Sequence, residues 1–541
     1  MTTAHDAEVI VVGGGHNGLI CAAYLARAGV DTLLLEARPA VGGCASTVAD
    51  IGARFNICHC DHTMIRAMPV AEELELAQHG LRYLEPDASG IFLFYDDAPP
   101  WVLFHDVEKT LDGLAVSHPE QVVRYRRYLA DALPVARLAI EMARTHPSAH
   151  RMLAAAAKAD GTRLEASRRL LSWSRRSASD VMRDYFDDWH LIQPAVSTGP
   201  TVWGVPPDVP GTGLAALSHA TRHLVKTGRP EGGSGALTDS VRASFEAAGG
   251  RVRCNSLVAR LVVDGGSVTA VQLADGDVVT ASTVVAACDP HRVLVDWVGD
   301  PPPAARRLAE RWRGQAPPEG YESKIDAVLT AAPRFAALDE LEARFSDVDL
   351  LTPTVVVSPS PDELAEGHRL RSEGSVAARP TLLVNSPSVL DATMATAEGH
   401  HVLSLETLFT PYGIVGGWPG SSEPARWLDL WAGFVGPGFL DTVDRWRVMT
   451  PDRYEQEFKM HRGHTPAYAA SPLNTLIGRN PELSRYRTPI TGLYLSGAGT
   501  YPGAGVFGAA GRNAATTVLS DRRRPALAQA ALRRARSLVR I

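Results

Sequence analysis

Cysteine is scarce in this chain: 6 residues among 541, namely Cys21, Cys44, Cys58, Cys60, Cys254 and Cys288. So few, so widely scattered, do not make a disulfide framework, and they predict a reduced, cytoplasmic setting. No C-x-x-C pair occurs, which leaves dithiol redox chemistry without a reactive centre. No run of 18 apolar residues exists, so no membrane-spanning helix is predicted. The opening MTTAHDAE lacks a basic segment ahead of an apolar one and does not read as a signal peptide. Positive charge is not in excess either: 54 Lys+Arg against 60 Asp+Glu give a net charge of −6, which argues against nucleic acid as a partner. Internal repeats are absent. What remains is an ordinary globular composition, 45% hydrophobic and 21% charged, in a chain long enough for two or more packed domains.

Glycine, by contrast, is placed with purpose. AEVIVVGGGHNGLICAAYLARAGVDTLLLEA reads as strand, turn, helix and strand. Glu8 to Val12 is a short β-branched run suited to a buried parallel strand. Gly13, Gly15 and Gly18 complete G-x-G-x-x-G, Leu19 to Ala28 is predicted helical, and Thr32 to Leu35 is the second strand. The three glycines do different things. Gly13 permits the tight turn, Gly15 lets the backbone approach a pyrophosphate, and Gly18 allows close helix–strand packing. The helix N-terminus directs N–H groups and a positive dipole at the phosphates. His16 and Asn17 sit in this loop, and His16 is expected to pack near the phosphates. Glu36 closes the second strand, where an acid accepts hydrogen bonds from ribose hydroxyls.

Immediately after come Ala37, Arg38 and the glycine pair Gly42-Gly43, and the pair suggests backbone crowded against a flavin dinucleotide. E-x-R-x-x-x-G-G following the dinucleotide fingerprint resembles the large FAD-dependent family of amine oxidases and phytoene desaturases. Within it, the chain is most similar to the phytoene dehydrogenase-like group of pyridine nucleotide-disulfide oxidoreductase domain-containing protein 2-like members. VVGGGHNGLICAAYLARAG, PGTGLAALSHA, GGSGALTDSV, ETLFTPY at Glu406 and GLYLSGAGTYPGAGVFGAAGRNAA carry that similarity over nearly the whole length. One stretch departs from it: HRGHTPAYAASPLNTLIGRNP replaces a G-N-x-x-H-type segment, leaving His464 with the small Ala467, Ala469 and Ala470 beyond it.

The resemblance implies FAD and an α/β fold: a Rossmann-type, amine oxidase-like FAD-binding domain with an interleaved α+β substrate domain. The FAD domain is expected from 1–85, 210–300 and 480–520, and the substrate domain from 86–209 and 301–479. Val258 follows a predicted helix, Ala236 to Ala248, and opens a predicted hairpin around Asp264-Gly265-Gly266. The resemblance places its backbone against the adenine. Near the C-terminus, a strand from Leu493 to Ser496 meets a dense glycine run. Gly497, Gly499, Gly505 and Val506 are read there as contacts of a flat ring, with a helix from Val506 onward whose N-terminus would stabilise negative charge. No second dinucleotide fingerprint is found, since GGSGAL at Gly232 follows no evident strand. Electrons are therefore expected from the substrate rather than from a bound nicotinamide.

NICHCDHT, Asn56 to Thr63, is chemically dense. In an extended chain Cys58, Cys60 and His62 would share one face, about 6.5–7 Å apart, too far for easy chelation. No matching Cys/His pair lies downstream to complete a zinc site. The readings are a pocket wall, with His59, Asp61 and His62 as candidate catalytic residues, a covalent flavin link, a metal site, or plain packing. His219 is a further pocket candidate, and Trp203 a candidate wall. The tail from 521 to 541 carries seven arginines and reads as a basic helix after Pro525, suited to peripheral contact with an anionic membrane or to solvent. The main expectation is an FAD-dependent oxidoreductase removing a hydride from an organic, apolar small molecule. The alternatives are an isomerase using reduced FAD and a flavin-binding scaffold without turnover.

Overall fold

Four apolar residues, Val9–Val12, form the middle strand of a five-stranded parallel sheet, and all four are buried. The order across the sheet is Leu493–Leu495, Thr283–Ala286, Val9–Val12, Thr32–Leu35, Arg251–Arg253, with every neighbouring pair parallel. Strands covered on both faces demand continuous apolar runs, which Val9–Val12 and Thr283–Ala286 supply, while the edge strand Arg251–Arg253 carries arginines. The computed structural model describes residues 5–58, 60–148, 161–464 and 480–538. Among the expected positions, His59, Ala467, Ala469, Ala470 and residues 539–541 lie outside the described residues.

The crossover between the first two strands is the helix His16–Arg27. It begins inside the fingerprint, ahead of the expected Leu19. It packs between the helices Gly235–Ala247 and Ala509–Leu538. The crossing with the C-terminal helix is close enough that a Cβ at Gly511 would lie 2.2 Å from the Asn17 carbonyl oxygen. A small antiparallel sheet, Val258–Asp264, Ser267–Leu273 and Val278–Thr280, follows the edge strand Arg251–Arg253 and shares a core with the parallel sheet. GGSGAL does have a strand before it, the two-residue Arg229–Pro230. That strand pairs antiparallel with Tyr83–Leu84, outside the parallel sheet, and builds no second dinucleotide loop.

The other large sheet has seven strands in the order Val443–Met449, Glu322–Leu329, His401–Leu408, Leu382–Asn385, Val355–Ser358, Gly90–Phe94, Trp101–Leu103. Only Val355–Ser358 and Gly90–Phe94 run parallel. Helices pack on both faces, one with a core that includes Trp101, Tyr125 and Tyr128, the other with Trp427 and Trp431 of the helix Glu423–Val435.

Three helix expectations shift. Pro119 to Leu133 begins as a single 3-10 turn and becomes the longer helix Val122–Arg144. Ser167 to Phe186 divides into Gly161–Trp173 and Ala178–Arg183, because the Ser177 hydroxyl accepts the Asp180 N–H at 3.1 Å and starts a new helix. The C-terminal helix starts at Ala509, not Val506, since Gly505 and Gly508 hold positive φ angles of 93° and 72°. It then runs unbroken to Leu538, so the basic segment after Pro525 continues this helix and does not stand alone. Among the described residues no helix is long and apolar enough to cross a membrane.

One strand of the seven-stranded sheet carries charge inward. Lys324 and Asp326 are fully buried; Lys324 Nζ donates to Asp326 and to the Asn56 carbonyl, and Arg447 binds Asp326 at 2.8 Å. Breaking a buried pair from one side strands the other charge, which typically costs about 3–5 kcal/mol. Asp326→Ala is therefore expected to lose about 3–5 kcal/mol in chemical denaturation. A loss below about 1 kcal/mol would show that water or another group takes over.

Candidate active site: a dinucleotide loop opening onto a walled cavity

The fingerprint loop adopts the shape its glycines require. Gly13 has a φ of 102°, and a Cβ at Gly18 would lie 1.9 Å from the Gly13 carbonyl oxygen. Gly15 differs: a Cβ there meets nothing nearer than Gly43 Cα at 4.0 Å. It faces open space directly beneath the first N–H groups of the helix, where a phosphate would sit. His16, beside it, is pulled down to about 4 by burial and stays neutral at pH 7. It adds no positive charge to the loop; that comes from the backbone.

Glu36 ends its strand with both carboxylate oxygens engaged, accepting the Gly14 N–H at 2.7 Å and the Arg38 N–H at 2.9 Å. Burial pushes its pKa up. Each oxygen keeps a second lone pair for a ribose hydroxyl. The glycine pair lies against the loop itself: Gly42 donates to the Gly14 carbonyl at 2.8 Å, and a Cβ on Gly43 would come within 3.0 Å of Gly15 Cα. The crowding predicted against the cofactor is thus in part crowding against the fingerprint.

All this opens onto a cavity of about 480 Å³. Of the cofactor residues expected from sequence, Gly13, Gly15, His16, Asn17, Gly18, Glu36, Ala37, Gly43, Val258, Gly497, Gly505 and Val506 line it. Arg38, Gly42 and Gly499 do not. The Arg38 guanidinium instead lies over the Phe458 ring at 4.0 Å and donates to Ser46 at 3.2 Å. Phe92, Val356 and Leu383 of the seven-stranded sheet, with Trp203 and Tyr321, give the cavity an apolar stretch of wall. The donor set fits FAD: a helix terminus and open glycine for the pyrophosphate, an acid for the ribose, and glycine backbone with apolar walls for a flat ring.

The cysteine–histidine stretch contributes unevenly. It leaves its strand at Asn56 and bends, so the alternating-face geometry of an extended chain does not apply. Asp61 lines the cavity, held by Arg229 Nε and by the Thr354 hydroxyl, each at 2.6 Å. His62 is turned away and buried, its ring nitrogens 3.1 Å from the Tyr83 hydroxyl and 3.2 Å from the Ser234 hydroxyl. Cys58 lines the cavity; a hydrogen bond with Cys44, then burial, pushes its thiol well up. Among the described residues, all six cysteines are free, and the one cluster of three metal-ligand side chains is His118, Asp188 and His190, with no member from this stretch.

His219 is not at the cavity. It is fully buried among the Phe92, Trp101, Tyr125 and Tyr128 rings, and burial pulls it down to about 3. His464 does line the cavity, is also pulled down to about 3 by burial, and stays neutral.

The strongest titratable feature was not singled out from sequence. Glu322 and Glu406 stand on neighbouring antiparallel strands, offset diagonally so that they share a face, and both line the cavity. Burial, then the charge and hydrogen bond of Glu322, raise Glu406 well above an ordinary carboxylate, with Lys324 opposing. Two buried carboxyls in contact resist ionising together, so the pair tends to hold a proton between them. A signal existed: Glu322, Lys324 and Asp326 place charge at every second position of an otherwise uncharged, buried strand.

The pair also sets a pH dependence. Between the unfolded carboxylate value near 4.5 and the higher folded one, the folded state holds one more proton than the unfolded state. Stability therefore falls with rising pH across that window, by up to about 1.4 kcal/mol per unit. Glu406→Gln removes this component. The wild-type minus variant stability difference is expected to decline from about pH 5 upward in denaturation series; a flat difference would mean that Glu406 is ionised in the fold.

Known proteins resemble this chain in sequence and fold. Residues 18–317, more than half of the chain, match the family described as flavin containing amine oxidoreductase. Pyridine nucleotide-disulfide oxidoreductase domain-containing protein 2 of Rattus norvegicus is 29% identical over 95% of this chain and 94% of its own length. The lycopene-forming phytoene desaturase of a Paracoccus species is 26% identical, covering 95% and 97%. The solved structure of a putrescine oxidase superposes with a TM-score of 0.61 at 17% identity, covering 95% of this chain and 99% of the other. These agree with a loop, an acid and a cavity that already fit the cofactor: the chain is an FAD-dependent oxidoreductase and belongs to the flavin-containing amine oxidoreductase family.

Proposed function

We propose that the protein removes a hydride from a C–H bond of an apolar organic molecule, leaving a C=C, C=N or C=O bond. The observation that carries this reading is one continuous cavity, running from the fingerprint loop to the apolar wall of the seven-stranded sheet. Cofactor and substrate would share one chamber. Bound FAD supplies the hydride acceptor. Phe92, Val356 and Leu383 give the substrate an apolar surface, and Tyr321 and Trp203 narrow the space beside it. The Glu322–Glu406 pair, which shares one proton and acts as a unit, is the group that takes the accompanying proton. A relative named for phytoene desaturation supports the reaction class, and it leaves the substrate to this chain's own walls.

Anaerobic mixing of the purified flavoprotein with a panel of apolar alcohols, amines, acids and alkenes tests the reading. Bleaching of the flavin band, with product formed in equal amount, is the expected result. Turnover without net bleaching, and only after chemical pre-reduction, would replace dehydrogenation with isomerisation.

A further inference from the structure

Beside the main cavity lies a second one of about 290 Å³ with walls of Ala139, Ile140, Leu170, Leu214 and Pro502. Thr63, Trp203 and Arg222 line both spaces and so mark the passage between them. Arg222 stands on the short helix Ser218–Leu224. Its guanidinium donates to the Ser218 carbonyl of its own helix, at 3.3 Å, and makes no ion pair among the described residues. The carboxylate that acts on it through space, Asp61, is committed to Arg229 and Thr354. Two guanidinium groups thus share one carboxylate at this end of the chamber. Arg222 is half-buried at the cavity wall, and a guanidinium there with only a shared carboxylate nearby is a ready partner for an anion.

The neighbouring donors set the size of that anion. Thr63 and Thr227 hydroxyls lie 3.2 Å apart and line the main cavity with Arg222, and Lys226 is taken by Glu85 at 3.2 Å. One unpaired cation with flanking hydroxyls suits a single negative charge in planar form, which a guanidinium grips through two parallel N–H bonds. Resting on the reading of the main cavity as the flavin and substrate chamber, we infer that the substrate is an aliphatic carboxylate, its carboxylate held by Arg222 at the passage, its reacting carbons on the main-cavity side and the rest of its apolar chain free to extend into the second cavity. A pure hydrocarbon would leave this half-buried guanidinium without an ion pair.

Calorimetric titration of the purified holoprotein with sodium decanoate and with 1-decanol, below micelle-forming concentrations, tests this. Decanoate is expected to bind at least about tenfold more tightly, roughly 1.4 kcal/mol. In Arg222→Met that preference disappears while flavin content is retained, and Arg222→Lys keeps part of it. Equal binding of acid and alcohol to the wild type, or an undiminished preference in Arg222→Met, overturns the inference. If Arg222→Met does not fold, the wild-type comparison decides alone. Flavin content and anaerobic bleaching report separately on the oxidoreductase reading, so a protein that bleaches with other substrates and ignores decanoate refutes the carboxylate anchor only.

Discussion

Gly15→Val is expected to yield a folded protein that retains no FAD. At this position the backbone is extended, with φ −68° and ψ 169°, which any residue adopts, and a Cβ meets nothing closer than 4.0 Å. The substitution therefore leaves the sheet and its crossover helix intact. What it fills is the open space beneath the helix N-terminus, where the first N–H groups and the helix dipole hold a pyrophosphate. FAD affinity should fall by at least about 100-fold, roughly 2.7 kcal/mol. The ratio of flavin to protein absorbance after purification measures the loss, and circular dichroism with thermal melting measures the fold. Gly18→Val is the contrast: its Cβ would be 1.9 Å from the Gly13 carbonyl, so protein and flavin should be lost together. If Gly15→Val kept its flavin, the pyrophosphate would have to lie elsewhere.

The second large effect is expected at the carboxyl pair. Glu406→Gln preserves shape and a neutral hydrogen bond to Glu322 but removes the shared, titrating proton. Positioned acid–base groups typically contribute about 10²–10⁴-fold, and a fall in kcat of about that size is expected with FAD content unchanged. Glu322→Gln removes the accepting oxygen and should cost a similar factor, while the double substitution should cost little more, because the two act as one unit. The variants should also flatten the pH profile of flavin reduction. Wild-type rates in both single variants would reduce the pair to a buried structural contact and leave Asp61 as the remaining carboxylate at the cavity among the candidates named from sequence.

Much of the cofactor half of this protein is legible in residue order alone. The strand Val9–Val12, the glycines of the loop, Glu36 and the strand Leu493–Leu495 all fall within a residue or so of where spacing puts them. The helices around them drift further at their ends, where the Ser177 cap and positive-φ glycines act over one turn. Arg38, Gly42 and Gly499 stay off the cavity for a related reason: proximity in sequence to the cofactor loop does not decide which way a side chain or carbonyl faces.

The dinucleotide loop is a local device. Its turn, helix N-terminus and acid lie within one strand–helix–strand unit, so residue types at set intervals are enough to specify it. That a dinucleotide is expected here, and which part of the chain would hold it, follows from the residues in order, and membership of the flavin-containing family makes it FAD. The substrate chamber is not local. Glu322 meets Glu406 only because two distant strands pair in one register, and Arg222 faces the cavity only because its helix packs beside the second space. His62 is turned toward Tyr83 and Ser234 by a bend that its own sequence does not announce. Which charged groups face the substrate is thus a property of the packed chain. Burial and long-range strand pairing, rather than spacing along the chain, bring those groups together and set which of them carries a proton.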